Sequence, residues 1–158
     1  VYKRQDNLIV IRTLSKAFGL AGCRVGYGVA QKELIDALGL TKLVYNLNIL
    51  SQNAALAAMD YADDILAHNI PPTLAARQYF MDALKDVPGL TVYSSSTNFV
   101  LVRVPDGPAM VKALHDADIC VRSYKAANLK NCLRITITTD EVVRKVVAVM
   151  TEEAKKDA

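Results

Sequence analysis

Hydrophobic and polar positions divide this chain into two stretches of different rhythm. Residues 7–12 (Asn-Leu-Ile-Val-Ile-Arg) form a short, β-branched apolar run, which predicts a strand buried on both faces. Residues 13–24 are rich in small side chains and glycine and read as a loop that bends sharply. A second strand is predicted over 25–30, where two glycines permit close backbone approach, followed by a short helix over 31–38 that Gly39 is placed to end. Between 48 and 68, Ile49, Leu50, Leu56, Met59, Ile65 and Leu66 recur at roughly helical spacing, which predicts one long helix. Pro71-Pro72 interrupts it, and a helix resumes over 73–86 until Pro88-Gly89.

Beyond residue 90 the rhythm changes. Strands are predicted at 90–93, 98–104, 119–122 and 132–138, with helices at 107–117 and 140–156, an order that suggests a small α+β unit. No internal repeat is visible. The break between the two parts is placed near residues 68–75, so the chain reads as the tail of one domain followed by most of another.

Composition sharpens this picture without changing it. The 158 residues carry 19 Lys and Arg against 16 Asp and Glu, a net charge of +3, which excludes a polyanion-binding tail. With 52% hydrophobic and 22% charged residues the chain is neither disordered nor low in complexity. Cys23, Cys120 and Cys132 are too few and scattered for a disulfide framework, contain no C-x-x-C pair, and read as small apolar core residues. A reducing cytoplasm is the expected setting. No run approaches the roughly 18 apolar residues of a membrane span, and no signal peptide pattern opens the chain. Neither membrane nor nucleic acid is expected as a partner. The chain lacks an initiator Met, and residues 1–5 (Val-Tyr-Lys-Arg-Gln) match one reading frame of a transposase end sequence, so they are expected to be adapter-derived.

Candidate chemistry concentrates in Thr13-Leu14-Ser15-Lys16-Ala17-Phe18-Gly19-Leu20-Ala21-Gly22-Cys23-Arg24. A lysine in a loop between two apolar strands can act as a nucleophilic amine toward a carbonyl cofactor. The hydroxyls of Thr13 and Ser15, the glycines that free backbone N–H groups, and the Arg24 guanidinium fit an anion site. The competing reading is a solvated or phosphate-binding lysine. A Walker-type loop is excluded because the G-x-x-x-x-G-K-[ST] order is absent. His68 and His115 lack metal-ligand spacing and read as surface residues, and no metal site is expected.

The stretch Thr13 to Tyr27 resembles the cofactor-lysine motif of fold-type I pyridoxal phosphate-dependent aminotransferases, and within them is most similar to the histidinol-phosphate aminotransferases. Three further stretches resemble that family in order: Tyr45-Asn46-Leu47-Asn48 with Ser51-Gln52, Ser94-Ser95-Ser96-Thr97-Asn98-Phe99-Val100-Leu101-Val102, and Cys120-Val121-Arg122 followed by Leu133-Arg134-Ile135-Thr136-Ile137. The resemblance implies an α/β aspartate-aminotransferase-like fold: the end of a large cofactor-binding domain (6–47), a connecting helix region (48–74) and a small α+β C-terminal domain (75–158). It implies pyridoxal 5'-phosphate as cofactor, with Lys16 forming the Schiff base and then moving the proton between the substrate's α-carbon and the cofactor. Thr13, Ser15 and Arg24 would hold the cofactor phosphate. Arg134 would grip the substrate α-carboxylate, and Arg122 a substrate phosphate. On strand periodicity alone, Arg134 would face opposite to Leu133 and Ile135 and could be an ordinary exposed arginine, while Arg122 could be a rim charge.

The implied activity is transamination of histidinol phosphate with 2-oxoglutarate, in histidine biosynthesis, by a cytoplasmic homodimer. The alternatives are an aromatic aminotransferase or a threonine-phosphate decarboxylase of the same fold and, from another class, a non-enzymatic α+β binding module. Two departures from the family pattern stand out: Thr138-Thr139 where a glycine usually precedes threonine, and Val44 where proline is common. The family also carries roughly half its length upstream of Asn7, including further cofactor contacts, so these residues alone are expected to be an inactive fragment.

Overall fold

The computed structural model describes residues 5–156. The expectation that residues 1–5 are adapter-derived falls on positions 1–4, which lie outside the described residues, and on Gln5, an exposed residue of irregular backbone. The chain divides into two compact units, one ending at Asn69 and the other beginning at Ile70. Among the described residues no helix is long and apolar enough to cross a membrane.

The first unit holds two antiparallel strands, β1 (Val10–Thr13) and β2 (Gly26–Val29), then α1 (Lys32–Thr41), α2 (Ile49–Asp60) and the start of α3 (Ala62–Leu84). In the register Thr13 faces Gly26 and Val10 faces Val29. A Cβ on Gly26 would lie 2.7 Å from the Arg12 carbonyl oxygen, so only glycine lets the strands close at this point. The core of this unit is small: Leu14, Val25 and Ala55, with Phe18, Leu20, Cys23 and Leu47 packed against them.

Four expectations need correction here. The strand expected over 7–12 begins at Val10 and is not buried on both faces; Ile11 is 78% exposed. A two-stranded ribbon has no second strand pair or helix layer of its own to cover both faces, which a doubly buried strand requires. Gly39 does not end α1, which continues to Thr41, because Gly39 keeps an ordinary negative φ and the chain leaves the helix at an extended Lys42. The single helix expected over 48–68 is two helices. Tyr61 leaves helical geometry at φ −109° and ψ 23°; its N–H bonds the Met59 carbonyl and its own carbonyl accepts from Ile65 as α3 starts. Pro71 and Pro72 lie inside α3 instead of interrupting it. Each removes one backbone donor, but residues 67–72 are exposed, so the carbonyls left without a partner face water.

The second unit is a four-stranded antiparallel sheet, ordered β3 (Thr91–Val92), β4 (Phe99–Arg103), β6 (Cys132–Thr136), β5 (Arg122–Ser123), with α4 (Gly107–Asp116) and α5 (Asp140–Ala154). β5 falls one to three residues later than the run at 119–122 predicted. Val100 and Val102 on β4 stand opposite Ile135 and Leu133 on β6, all within 2% of complete burial. Phe80 and Leu84 of α3, Met110 and Leu114 of α4, and Val143, Val146 and Met150 of α5 close over that face. Sheet and helices thus form two layers around one core. α4 starts at an Asp106 cap that accepts the Ala109 N–H, with proline in its first turn, and α5 at Thr139, which accepts the Val142 N–H. Arg144 of α5 lies 4.4 Å over the Tyr79 ring of α3, and its guanidinium pKa is raised, first by its hydrogen bond to Asp140.

The contrast between the units predicts a contrast in mutational cost. Leu133→Ala opens a cavity in the packed core and is expected to destabilise by about 2–5 kcal/mol, whereas Ile11→Thr is expected to change stability by about 0.5 kcal/mol or less. Urea unfolding of the two variants measures both.

Candidate functional site

The lysine loop is pinned at several points. Leu14 is buried at 3% exposure, and its backbone bonds run both ways: Leu14 N–H to the Val25 carbonyl, and Leu20 N–H to the Leu14 carbonyl, each 3.1 Å. Gly19 N–H bonds the Lys16 carbonyl at 2.9 Å in a turn that needs Gly19 at φ 69°. From α3, Asn69 Nδ2 donates to the Ala17 carbonyl at 2.9 Å. The backbone on each side of Lys16 is therefore fixed, while its side chain is exposed and makes no hydrogen bond or ion pair with the described residues.

Thr13 and Ser15 are brought together. Thr13 Oγ1 donates to Ser15 Oγ at 2.9 Å and accepts from the Ser15 N–H at 3.1 Å. Thr13 Oγ1 also lies 3.5 Å from the carbonyl of Val25, the neighbour of Arg24. Arg24 follows the short 3-10 turn Ala21–Cys23 in the left-handed region at φ 56°, an uncommon state for a residue with a Cβ. One guanidinium nitrogen bonds the Ala21 carbonyl at 2.9 Å, and its remaining donors are uncommitted. A cavity of about 390 Å³ opens beside Arg24, lined also by Lys42, Asn46 and Gln52.

In the second unit, Arg122 and Arg134 stand directly opposite each other across β5 and β6. The pleat puts Arg134 on the face away from Val100, Val102, Leu133 and Ile135, as strand periodicity predicts. On that same face Arg103 commits its donors to the protein: Tyr93 Oη at 3.2 Å, the Lys130 carbonyl at 2.9 Å and the Asn128 carbonyl at 3.2 Å. The Tyr93 bond is also the first cause of its raised pKa. Arg122 and Arg134 do the opposite. Neither has a hydrogen bond or ion pair with the described residues, and the Nε of Arg134 is buried without a partner. Like charges directly opposite are unfavourable in a sheet, and an anion between the two guanidiniums would relieve both problems.

Sequence reasoning missed Arg77, whose Nη1 donates to the Thr97 carbonyl at 2.7 Å, and gave Phe99 no role, although its ring lies beneath Arg134. Neither leaves a local signal, because each acts through a residue distant in the chain. Of the cysteines only Cys132 is buried; Cys23 is half-buried and Cys120 exposed. Among the described residues no cluster of His, Cys, Asp and Glu could hold a metal ion.

Comparison with known proteins shows the family. A family model described as aminotransferase class I and II matches residues 2–150. The chain is 40% identical over 140 residues to histidinol-phosphate aminotransferase of Ruminiclostridium cellulolyticum, covering 88% of this chain and 39% of that protein. It is 44% identical over 137 residues to histidinol-phosphate aminotransferase of Thermoanaerobacter sp. strain X514, covering 86% and 38%. The crystal structure of histidinol-phosphate aminotransferase from Sinorhizobium meliloti in complex with pyridoxal-5'-phosphate superposes with a TM-score of 0.74 at 29% identity, over 97% of this chain and 42% of that one. The chain thus spans about two fifths of the length of the relatives it matches.

The different commitments of the sheet arginines predict different costs. Arg103→Met removes three hydrogen bonds that tie β4 to Tyr93 and to the 128–130 turn and is expected to lower the unfolding temperature. Arg134→Met removes a like-charge pair and an unpartnered nitrogen along with one ring contact, and is expected to fall within about 1 kcal/mol of the parent. Thermal unfolding without added anion measures the difference.

Proposed function

The chain belongs to the aminotransferase class I and II family, and from that premise we propose that the protein carrying this segment is a pyridoxal phosphate-dependent transaminase acting on histidinol phosphate, with 2-oxoglutarate as the amino acceptor, in histidine biosynthesis. Its setting is cytoplasmic and its working form a homodimer. The observation that carries the substrate reading is the opposed, uncommitted Arg122–Arg134 pair. Glutamate and 2-oxoglutarate offer an α-carboxylate, which one planar guanidinium binds through both oxygens. Histidinol phosphate offers a phosphate ester at the corresponding carbon, with more charge and more acceptor oxygens, and a second guanidinium suits it. A pair of arginines accommodates both partners of one exchange. The names of the relatives support the same assignment.

The donor set of the lysine loop fits the cofactor: a partnerless primary amine on a fixed backbone, two adjoining hydroxyls and a guanidinium with free donors. Pyridoxal phosphate, when bound, supplies a carbonyl for amine condensation and a ring that delocalises the electrons released at the substrate's α-carbon. Thr13, Ser15 and Arg24 hold its phosphate. Lys16 would supply the amine that condenses with its carbonyl, and would act as the base that takes the α-carbon proton and the acid that delivers it to the cofactor. Arg134 fixes the orientation of the substrate and so which bond at the α-carbon is broken.

Two measurements on the intact protein test this reading. After incubation with pyridoxal phosphate, borohydride is expected to trap a covalent adduct that Lys16→Ala abolishes; an adduct unchanged in that variant overturns the lysine assignment. With histidinol phosphate, glutamate is expected to form as 2-oxoglutarate is consumed. Carbon dioxide release from a phosphorylated amino acid without 2-oxoglutarate consumption would instead identify a decarboxylase.

A further inference from the structure

Arg134 is held by something other than hydrogen bonds. Its guanidinium carbon lies 5.2 Å from the centre of the Phe99 ring. Leu101 pairs with Arg134 and Phe99 with Thr136, so Phe99 is the diagonal neighbour of Arg134 on the face away from the core. A guanidinium lying over a ring keeps its in-plane N–H donors free, whereas a hydrogen-bonded one has them occupied. The opposed Arg122 lies 5.9 Å from the Tyr124 ring. Each of the two repelling cations is therefore seated beside its own aromatic ring.

The position of Phe99 is fixed with unusual redundancy for a residue at the mouth of a strand. Its carbonyl accepts from Ser95 Oγ at 2.5 Å and from Thr97 Oγ1 at 3.1 Å, and its N–H donates to Thr97 Oγ1 at 3.3 Å. Thr97 N–H donates to Ser95 Oγ at 3.1 Å, and Arg77 of α3 braces the Thr97 carbonyl from outside the knot. The Phe99 side chain lies outside the buried core set, so the core does not require this arrangement.

We propose that Phe99 is a positioning residue for Arg134, and that the Ser95–Thr97 knot braced by Arg77 sets the ring on which the guanidinium rests. The proposal rests on the reading in which Arg134 receives the anionic group of the substrate. Without the ring, repulsion from Arg122 turns the long, flexible Arg134 side chain toward water, and ordering it again opposes each binding event.

The test uses the intact, cofactor-loaded protein and succinate, an unreactive dicarboxylate, with dissociation constants measured by calorimetry for the parent, Phe99→Leu, Phe99→Tyr, Arg134→Ala and the Phe99→Leu/Arg134→Ala double variant. Phe99→Leu is expected to weaken succinate binding by about 3–30-fold, and Phe99→Tyr, which keeps the ring, by about twofold or less. In the Arg134→Ala background Phe99→Leu is expected to have no further effect, because the ring acts through that arginine. In turnover, Phe99→Leu is expected to raise KM more than it lowers kcat. Parent-like binding in Phe99→Leu, equal losses for Leu and Tyr, or a loss that persists without Arg134 each overturn the proposal. If Arg134→Ala itself leaves succinate binding unchanged, the anion role of Arg134 falls and this proposal falls with it. If Arg134→Ala weakens binding and Phe99→Leu does not, only the positioning role fails. Should Phe99→Leu fail to fold, Thr97→Val loosens the knot and keeps the ring; a loss that depends on Arg134 supports the proposal, and no loss overturns it.

Discussion

The two-residue pleat of β4 and β6 governs the second unit. Burying Val100 and Val102 against Ile135 and Leu133 fixes the register, and a slip by one residue would carry every apolar side chain to the wrong face. The same constraint sends Phe99, Leu101 and Arg134 to the opposite face and aligns Arg134 with Arg122. The core therefore does more than stabilise: it spaces the charged side chains of the other face. No hydrogen bond holds the Arg134 guanidinium, so its placement is inherited from the register and from the ring beside it.

The first unit solves a related problem with much less buried surface. Its lysine loop is shaped by backbone bonds and by glycines at two tight places, Gly26 against Arg12 and Gly19 in the turn after Lys16. The left-handed Arg24 is the local cost of a turn in which the guanidinium bonds back to the Ala21 carbonyl. Meanwhile Leu40, Tyr45, Ile49, Leu50 and Leu56 stay largely exposed.

Legibility followed the range of the interactions. Strand alternation in β4 and β6, and the capped starts of α4 and α5, are local, and the sequence pattern places them within a residue or two. The break between α2 and α3 was not legible, because proline is a stronger local signal than Tyr61. Yet exposed helix tolerates Pro71 and Pro72, while the break in helical geometry falls on a residue with no marker. The helical spacing of Ile49, Leu50, Leu56 and Met59 predicts helix, and these residues are exposed and outside their own unit's core. Periodicity reports that a face is apolar without saying what covers it. Likewise Arg103 and Arg134 are indistinguishable in sequence, each an arginine between aliphatic residues. Only the partners brought in from 93, 128 and 130 separate a structural arginine from an uncommitted one.

Charge placement follows from this division. Every ion pair among the described residues joins side chains three or four positions apart, as between Lys32 and Asp36, Lys112 and Asp116, or Arg144 and Asp140. Helical geometry makes such pairs nearly automatic, and at exposed positions they contribute little to stability. Their effect is to neutralise helix cations locally. A strand has no such neighbour at short range, since adjacent residues point to opposite faces and the residue across the ladder from Arg134 is another arginine. The net charge of +3 therefore understates the field at the sheet: the ion-paired carboxylates Asp36, Asp82, Asp116, Asp140 and Glu153 all lie on helices beside their own cations, whereas Arg122 and Arg134 have no such partner. An arriving anion meets two cations whose neutralisation the fold has left undone, and the free energy of relieving their repulsion adds to that of its own hydrogen bonds.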